Sequence, residues 1–523
     1  MLYRACVIAL SRILSTLGRA PRAPEKTLQN PFLEGNYAPF RSETECASLE
    51  LVSGEVPAAL AGALYRIGPA PRFEPLDPVL YHWFEGDGMV DAFRFEGGRV
   101  AHRRRWVRTD KLRWEEQAGR ALFGGLRGFG RRTSADGWKA LGFTPSELIE
   151  LRVRGLLGLP PREDQVRRIM RAQDRSNTNV LRLAGRLLTL VENSAAHEID
   201  PETLATRGRF TFGGVLEARR MVAHPKVDPE TGDIYTFGAS LRPPHLTYYA
   251  FSADGSLRFS RDIDVPFPAM MHDFGVTATR AIFYHLPATM RYENFKTSNP
   301  VRWEPSEGAR LIVVPRDEPG APARTVDLPA CFVFHTMNAF DDGGSVVLDV
   351  VRYPRLPLFD LGGENPNPPL TENPEGRLTR LRIDPDKGAV SEILLDEAPA
   401  EFPIVDPRFA ARPYRYGWMV CRRGDSDGRG HHNAIALVDH AERRTRYHEL
   451  GRSSFTSEPV FVPRGEGAPE GEGWLLAVVY RAETDRSDLL VLDALDIERE
   501  PVAVLRCPHR IPYGFHGSWV ARG

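Results

Sequence analysis

Of the 14 histidines in the sequence, four stand apart. His224 in "MVAHPKVDP", His272 in "MMHDFG", His335 in "CFVFHTMNAF" and His516 in "YGFHGSW" sit in apolar or strand-edge contexts. Most of the others, such as His431 and His432 in "GRGHHNA", lie in polar surroundings. Taken singly, each of the four reads most simply as a hydrogen-bonded core residue. Taken together, widely spaced and each near a strand end, they read as contributions from different parts of a closed ring. Four neutral imidazoles aimed at one axis would bind a divalent first-row metal, and imidazole suits Fe, Cu, Zn and Ni, so ligand type alone does not choose.

A ligating histidine needs an acceptor for its other N–H. Three carboxylates in otherwise apolar strand contexts could serve: Glu192 in "LLTLVEN", Glu401 in "APAEFPIVD" and Glu458 in "FTSEPVFVP". An isolated glutamate in such a context is costly unless paired. Singly, each is also readable as an ordinary strand-end or surface glutamate.

The elements that must position these residues are short strands. "DAFRFEGGRVAHRRRWV" alternates apolar and polar residues on both sides of Gly97-Gly98, and "NVLRLAGRLLTLVEN" does the same around Gly185; both predict β-hairpins. Similar runs separated by DG, GG or DPxxG turns continue to the end, and 43 prolines and 46 glycines are spread along the whole chain. Repeated hairpins after Pro31 predict a propeller, a sandwich or a large barrel. No tight period exists, so a blade count does not follow. One stretch, about Asp110 to Asp174, turns helical and basic. In it "TPSELIELRVRGLLGLPP" opens with a capping box from Thr144 to Glu147, with Pro145 at the first helical position. Its apolar residues are Leu148, Ile149, Leu151, Leu156, Leu157 and Leu159, and an excursion of this length reads as a lid or a membrane-contacting element.

Composition sets bounds. The chain has 523 residues with 68 basic and 69 acidic side chains, so no global field favours nucleic acid. Its five cysteines are scattered without metal or redox spacing, which predicts reduced, structural thiols and a cytoplasmic location. There is no GxGxxG, P-loop or CxxC. The segment "MLYRACVIALSRILSTLGRAPRAP" carries several arginines and no acid before Glu25, and its apolar run is too short and interrupted to span a bilayer. It reads as an amphipathic segment over residues 1–30: packed on the body, anchored at a membrane interface, or used for targeting.

At this point the residues carry a resemblance. "YHWFEGDGMVDAFRFEGGRV", "NPFLEGNYAPF", "GALYRIGPAPRF", "AHPKVDPETG", "MMHDFGVT", "EFPIVDPRF", "SEPVFVPR" and "YGFHGSWV" resemble the motifs of the carotenoid cleavage oxygenases, from about residue 30 onwards. The resemblance implies an all-β fold, a seven-bladed β-propeller with a helical cap over the active-site face, spanning 31–523 with the cap inserted at about 110–175. It implies Fe(2+) held by His224, His272, His335 and His516, with Glu192, Glu401 and Glu458 behind them. A family threonine near the iron matches Thr178 in "SNTNVL", its methyl crowding one coordination position. Ala70 stands in "GPAP" where the family often has asparagine. The stilbene-cleaving branch typically carries a lysine just before the first of these glutamates and a tyrosine in the "VRT" strand. Here the two positions are Val191 and Trp106, an apolar pair better suited to a polyene than to a phenol.

The resemblance therefore implies a dioxygenase that uses O2 to cleave one C=C bond of a carotenoid or apocarotenoid into two carbonyl products. Aromatic and aliphatic residues should line the tunnel, with Phe84 and Phe274 as candidates. The alternatives are a stilbene- or lignostilbene-cleaving dioxygenase, a retinoid isomerohydrolase, and a propeller scaffold without catalysis. The implied partners are a lipophilic polyene and O2, not nucleic acid. Peripheral membrane contact and a monomeric or weakly oligomeric state complete the expectations.

Overall fold

The alternating runs pair as the sequence pattern requires. In the computed structural model, which describes residues 30–125, 133–157, 159, 161–192, 194–216, 221–291, 301–357, 373–424, 426 and 431–522, Glu96 pairs with Arg99 and Leu183 with Arg186 across two-residue turns. Gly97 and Gly98 both have positive φ (55° and 76°), the backbone of a type I′ turn that matches strand twist. The N-terminal segment expected over residues 1–30 lies almost entirely outside the described residues.

Seven antiparallel sheets of four or more strands form the seven blades of a β-propeller, with one further two-stranded sheet beside them. Blades 2 to 6 are consecutive, each four strands in sequence order: 179–210, 226–263, 274–328, 332–394 and 400–449. In each, the last strand is its most exposed edge, such as Ala389–Leu394 and Arg444–Glu449, while first strands such as Phe274–Val276 and Phe332–Asp342 are largely buried. Charged residues on the outer edges discourage pairing with other chains.

Blades 1 and 7 are closed by segments distant in sequence. Glu50–Gly54 forms the outer edge of blade 7 beside Ala503–Arg506, and Gly517–Ala521 joins blade 1 beside Gly62–Ala70.

The core lies between neighbouring blades. Tyr235, Phe237 and Tyr248 of blade 3 pack with Phe274, Phe283 and Val314 of blade 4. Phe274 is fully buried there and stacks on Phe283 at 5.5 Å, so it is a packing residue and does not line a substrate path. Burying a side chain of this size contributes roughly 1.5–3 kcal/mol.

Between blades 1 and 2 the chain leaves the ring for helices Asp110–Ala118, Ala135–Ala140, Pro145–Leu156 and Glu163–Arg171. They share an apolar cluster of Leu122, Phe123, Leu141, Phe143, Ile169 and Ala172, with Leu148 and Leu151 packed against it. The capping box is present: Glu147 Oε2 accepts from Thr144 N at 2.8 Å, and Thr144 Oγ1 accepts from Glu147 N at 3.3 Å. Trp106 is buried at the joint between blade 1 and the first helix, with Ala70, Met89 and Leu112. It packs in that joint, apart from the four histidines.

Candidate metal centre

The blades meet at one place, because their innermost strands begin there. His224, His272 and Glu458 lie one or two residues before Lys226–Val227, Phe274–Val276 and Val460–Pro463, the innermost strands of blades 3, 4 and 7. His335 and Glu401 are early residues of Phe332–Asp342 and Ala400–Val405 in blades 5 and 6. Blade 2 supplies Thr178, just before Asn179–Leu183, and Glu192, just after Arg186–Leu190. His516 precedes Gly517–Ala521, so the returning segment carries the blade 1 contribution.

The four imidazoles converge, each at most 9% exposed, with one nitrogen of each within 4.8 Å of the others. Nε2 atoms are 3.0 Å apart for His224 and His272, 3.1 Å for His272 and His335, and 3.2 Å for His335 and His516. With metal–nitrogen bonds of about 2.1 Å, adjacent ligands of a six-coordinate ion lie about 3.0 Å apart and tetrahedral ones about 3.4 Å apart. The observed spacings fall in this range, so the four nitrogens can ligate one ion together.

Three of the four outward nitrogens face a carboxylate. His272 Nδ1 is 2.8 Å from Glu192 Oε1, His335 Nδ1 is 2.5 Å from Glu401 Oε2, and His516 Nδ1 is 2.8 Å from Glu458 Oε1. A carboxylate can only accept, so each of these rings carries its proton on Nδ1 and turns an Nε2 lone pair inward. Burial, together with the other rings, pushes His224 well below the usual histidine range, and burial also lowers His335. Ring nitrogens facing one another at 3.0–3.2 Å repel where no proton bridges them, and three mostly buried carboxylates stand behind them. A divalent cation relieves both, and the residues therefore fit a metal ion.

The carboxylates are themselves fixed. Burial drives the Glu401 carboxyl upward, but His335, the N–H of Phe402 and the Tyr353 hydroxyl outweigh it and hold it at about 2. Glu458 Oε2 also accepts from Gly517 N at 2.8 Å, which locks the returning strand to blade 7. Thr178 Oγ1 donates to Asn177 Oδ1 at 3.0 Å and approaches Glu192 Oε2 at 3.3 Å, while the Thr178 carbonyl accepts from His516 N at 3.3 Å. Thr178 thus spans the residues behind two of the histidines.

One side of the cluster is aromatic. Phe334 lies 5.2 Å from the His272 ring, and Phe402 stacks on His335 at 5.3 Å and meets His516 at 5.5 Å. Phe84 contacts Phe334 and Phe515, and Trp83 lies 4.2 Å from Phe515. Of the two phenylalanines expected near the substrate, only Phe84 is here. Phe334, Phe402 and Phe515 escaped sequence reasoning, although each is the immediate neighbour of His335, Glu401 or His516. His431 and His432 are also closer than their polar neighbours in sequence suggested: His431 packs on Tyr513 at 4.8 Å and His432 faces Phe402 at 6.5 Å.

Comparison with known proteins agrees with this geometry. The family profile described as retinal pigment epithelial membrane protein matches residues 37–521. The chain is 34% identical to isoeugenol monooxygenase of Pseudomonas nitroreducens, over 94% of this chain and 98% of that protein. It is 34% identical to apocarotenoid-15,15'-oxygenase of Synechocystis sp., over 90% of this chain and 92% of that protein. The crystal structure of Pseudomonas brassicacearum lignostilbene dioxygenase superposes with a TM-score of 0.81 at 30% identity, covering 94% of this chain and 99% of that one.

Proposed function

The chain belongs to the retinal pigment epithelial membrane protein family, the carotenoid cleavage oxygenases, and from that premise we propose that it is a non-haem Fe(2+) dioxygenase cleaving a C=C bond of a carotenoid or apocarotenoid. The observation that carries the reading is the convergence of four buried imidazoles beside an aromatic wall. Fe(2+), when bound, supplies the activation of O2 through which one alkene and one O2 become two carbonyl products.

The chain's own residues do the rest. His224, His272, His335 and His516 hold the ion, and Glu192, Glu401 and Glu458 keep three of these rings in the metal-binding tautomer. Phe84, Phe334, Phe402 and Phe515 place a flat conjugated chain beside the ion and exclude water from the reacting bond. Thr178 ties Glu192 to the backbone of His516, and its methyl would limit the space beside a bound ion. No side chain is required to move a proton.

Val191 favours the polyene, since it offers no charge to a phenol. A second reading, cleavage of the propenyl or stilbene double bond of a phenolic substrate, draws on the similarity to an isoeugenol monooxygenase and a lignostilbene dioxygenase. The deciding experiment admits O2 to anaerobically Fe(2+)-loaded protein with apocarotenals, carotenoids, isoeugenol and hydroxystilbenes, and identifies aldehydes by mass. Polyene cleavage supports the first reading and locates the bond. Cleavage of phenolic alkenes alone replaces it with the second, and no cleavage of any alkene overturns both.

The helix Pro145–Leu156 and the residues after it turn Ile149, Val153, Leu156, Leu157 and Leu159 outward, Leu156 being 89% exposed. This apolar rim with neighbouring arginines suits peripheral contact with a lipid surface, from which a lipophilic substrate would be drawn. Among the described residues no helix is long and apolar enough to cross a membrane. Co-sedimentation with phosphatidylcholine–phosphatidylglycerol vesicles should fall in the Leu156→Ser/Leu157→Ser variant lacking residues 1–22, and unchanged binding would remove the membrane reading.

A further inference from the structure

We propose that Asp273 is a positioning residue of the metal centre, the cross-tie that sets the spacing of His224, His272 and His335; the proposal rests on the reading of these histidines as metal ligands. Asp273 is 2% exposed and follows His272 directly. Its Oδ1 is 2.6 Å from Lys226 Nζ, and Lys226 is two residues beyond His224. Its Oδ2 accepts from the backbone N–H of Thr336 at 2.8 Å, and Thr336 follows His335. Oδ1 also accepts from Phe274 N at 2.8 Å, which fixes the carboxylate on its own backbone. One buried side chain therefore joins the segments that carry three ligands on three separate blades.

Two local features show why this tie is needed. Thr336 lies between two register irregularities in the pairing of Phe332–Asp342 with Ser345–Tyr353, so sheet pairing alone does not fix the backbone around His335. The Tyr284 hydroxyl, 2.7 Å from Thr336 Oγ1, supports the same turn from blade 4. In addition, among the described residues no carboxylate lies within ion-pair distance of His224. Its segment is placed through Lys226, whose ammonium is held by Asp273 and lies 5.9 Å from the Phe274 ring centre. His516 stands outside this network. Glu458 fixes it, and Arg66 braces the segments behind both by donating to Ser457 Oγ at 2.7 Å and to the Pro512 carbonyl at 3.1 Å.

A charge effect and a positioning effect predict opposite patterns. If Asp273 and Lys226 act only as charges near a cation, Asp273→Asn weakens metal binding and Lys226→Met strengthens it. If they hold the ligand segments in register, both weaken it. Asparagine keeps the size of aspartate, but its NH2 group cannot accept from Thr336 N–H while its oxygen serves Lys226.

The test is titration of the metal-free full chain with Co(II), following affinity and the visible ligand-field spectrum, beside Tm. The wild-type chain is titrated first, and a wild type that binds no Co(II) overturns the metal reading itself. Given a metal-binding wild type, Asp273→Asn should lose about 10- to 100-fold in affinity. Lys226→Met should also lose affinity, by a smaller factor, and both spectra should shift. Opposite signs for the two variants, or wild-type affinity and spectrum in both, would overturn the cross-tie. Should Asp273→Asn fail to fold, Lys226→Met decides alone: weaker binding with an altered spectrum supports the tie, and tighter or unchanged binding sinks it.

Discussion

The Tyr353 hydroxyl donates a 2.8 Å hydrogen bond to Glu401 Oε1, while the other oxygen of that carboxylate takes the Nδ1–H of His335. A phenol on blade 5 thus determines how firmly a carboxylate on blade 6 orients a ligand on blade 5. Tyr353→Phe keeps the buried ring and removes one hydrogen bond to an ionised acceptor, worth about 1.5–3 kcal/mol. Part of that reaches the metal, so affinity should fall by about three- to tenfold. Chelator competition measures it, and unchanged affinity would mean that the N–H of Phe402 alone suffices to hold Glu401.

His516 arrives on the returning segment and has no neighbour in sequence among the other ligands. Replacement by alanine should abolish stoichiometric iron while leaving the strand Gly517–Ala521 paired with Gly62–Ala70. Metal analysis alongside circular dichroism checks both. A full iron load in the variant would defeat the four-histidine centre.

Phe402 has a φ of +50°, a left-handed conformation that a side chain rarely adopts, at the irregularity that turns Glu401 toward His335. Both Phe402→Ala and Phe402→Gly lose the ring, but only glycine is free of the backbone cost. The glycine variant should be more stable than the alanine variant by about 1 kcal/mol, read by urea unfolding. The reverse order would show that the backbone relaxes once the ring is gone.

Asp91 contributes to the acid limb of stability. Burial drives its carboxyl upward, but Arg104, His102 and Arg66 outweigh this and hold it at about 2. The folded value lies below the unfolded one, so the stabilisation is complete above about pH 4 and is lost as pH falls toward 2, amounting to about 2 kcal/mol. Asp91→Asn should be clearly less stable at pH 7, with Arg104 left buried without its counter-charge. The gap in Tm should narrow between pH 4 and 2, and parallel curves would assign the acid limb to other carboxylates.

The candidate ligands stood out because each histidine, with Glu401 and Glu458, lies at or near the start of an inner strand, where the sequence changes from turn to apolar run, while Glu192 follows the end of a strand. The aromatic wall was not, because alternation fails where it matters. Phe274 lies two residues from His272, yet His272 precedes the strand and Phe274 enters it, so the two do not share a face. Phe334 sits beside His335 in a strand whose register shifts twice, and only the irregular backbone brings both rings to the centre. Trp106 ends a strand, and its place was decided by Leu112 on a helix that strand patterning does not describe. The blade number stayed hidden for a related reason. Successive ligands are separated by 48, 63 and 181 residues, so the ring is regular in space but not along the chain.

Ring closure has a consequence for synthesis. Arg66 is made 446 residues before the Pro512 carbonyl it binds, and Gly62–Ala70 waits equally long for the strand that follows His516. On the ribosome the first blade therefore stands incomplete, with an open edge, through the production of all the others. Pairings so distant in sequence form slowly and leave strands open to wrong partners meanwhile. Three histidines can gather beforehand, but the four-histidine cluster is complete only once the segment that carries His516 has joined blade 1.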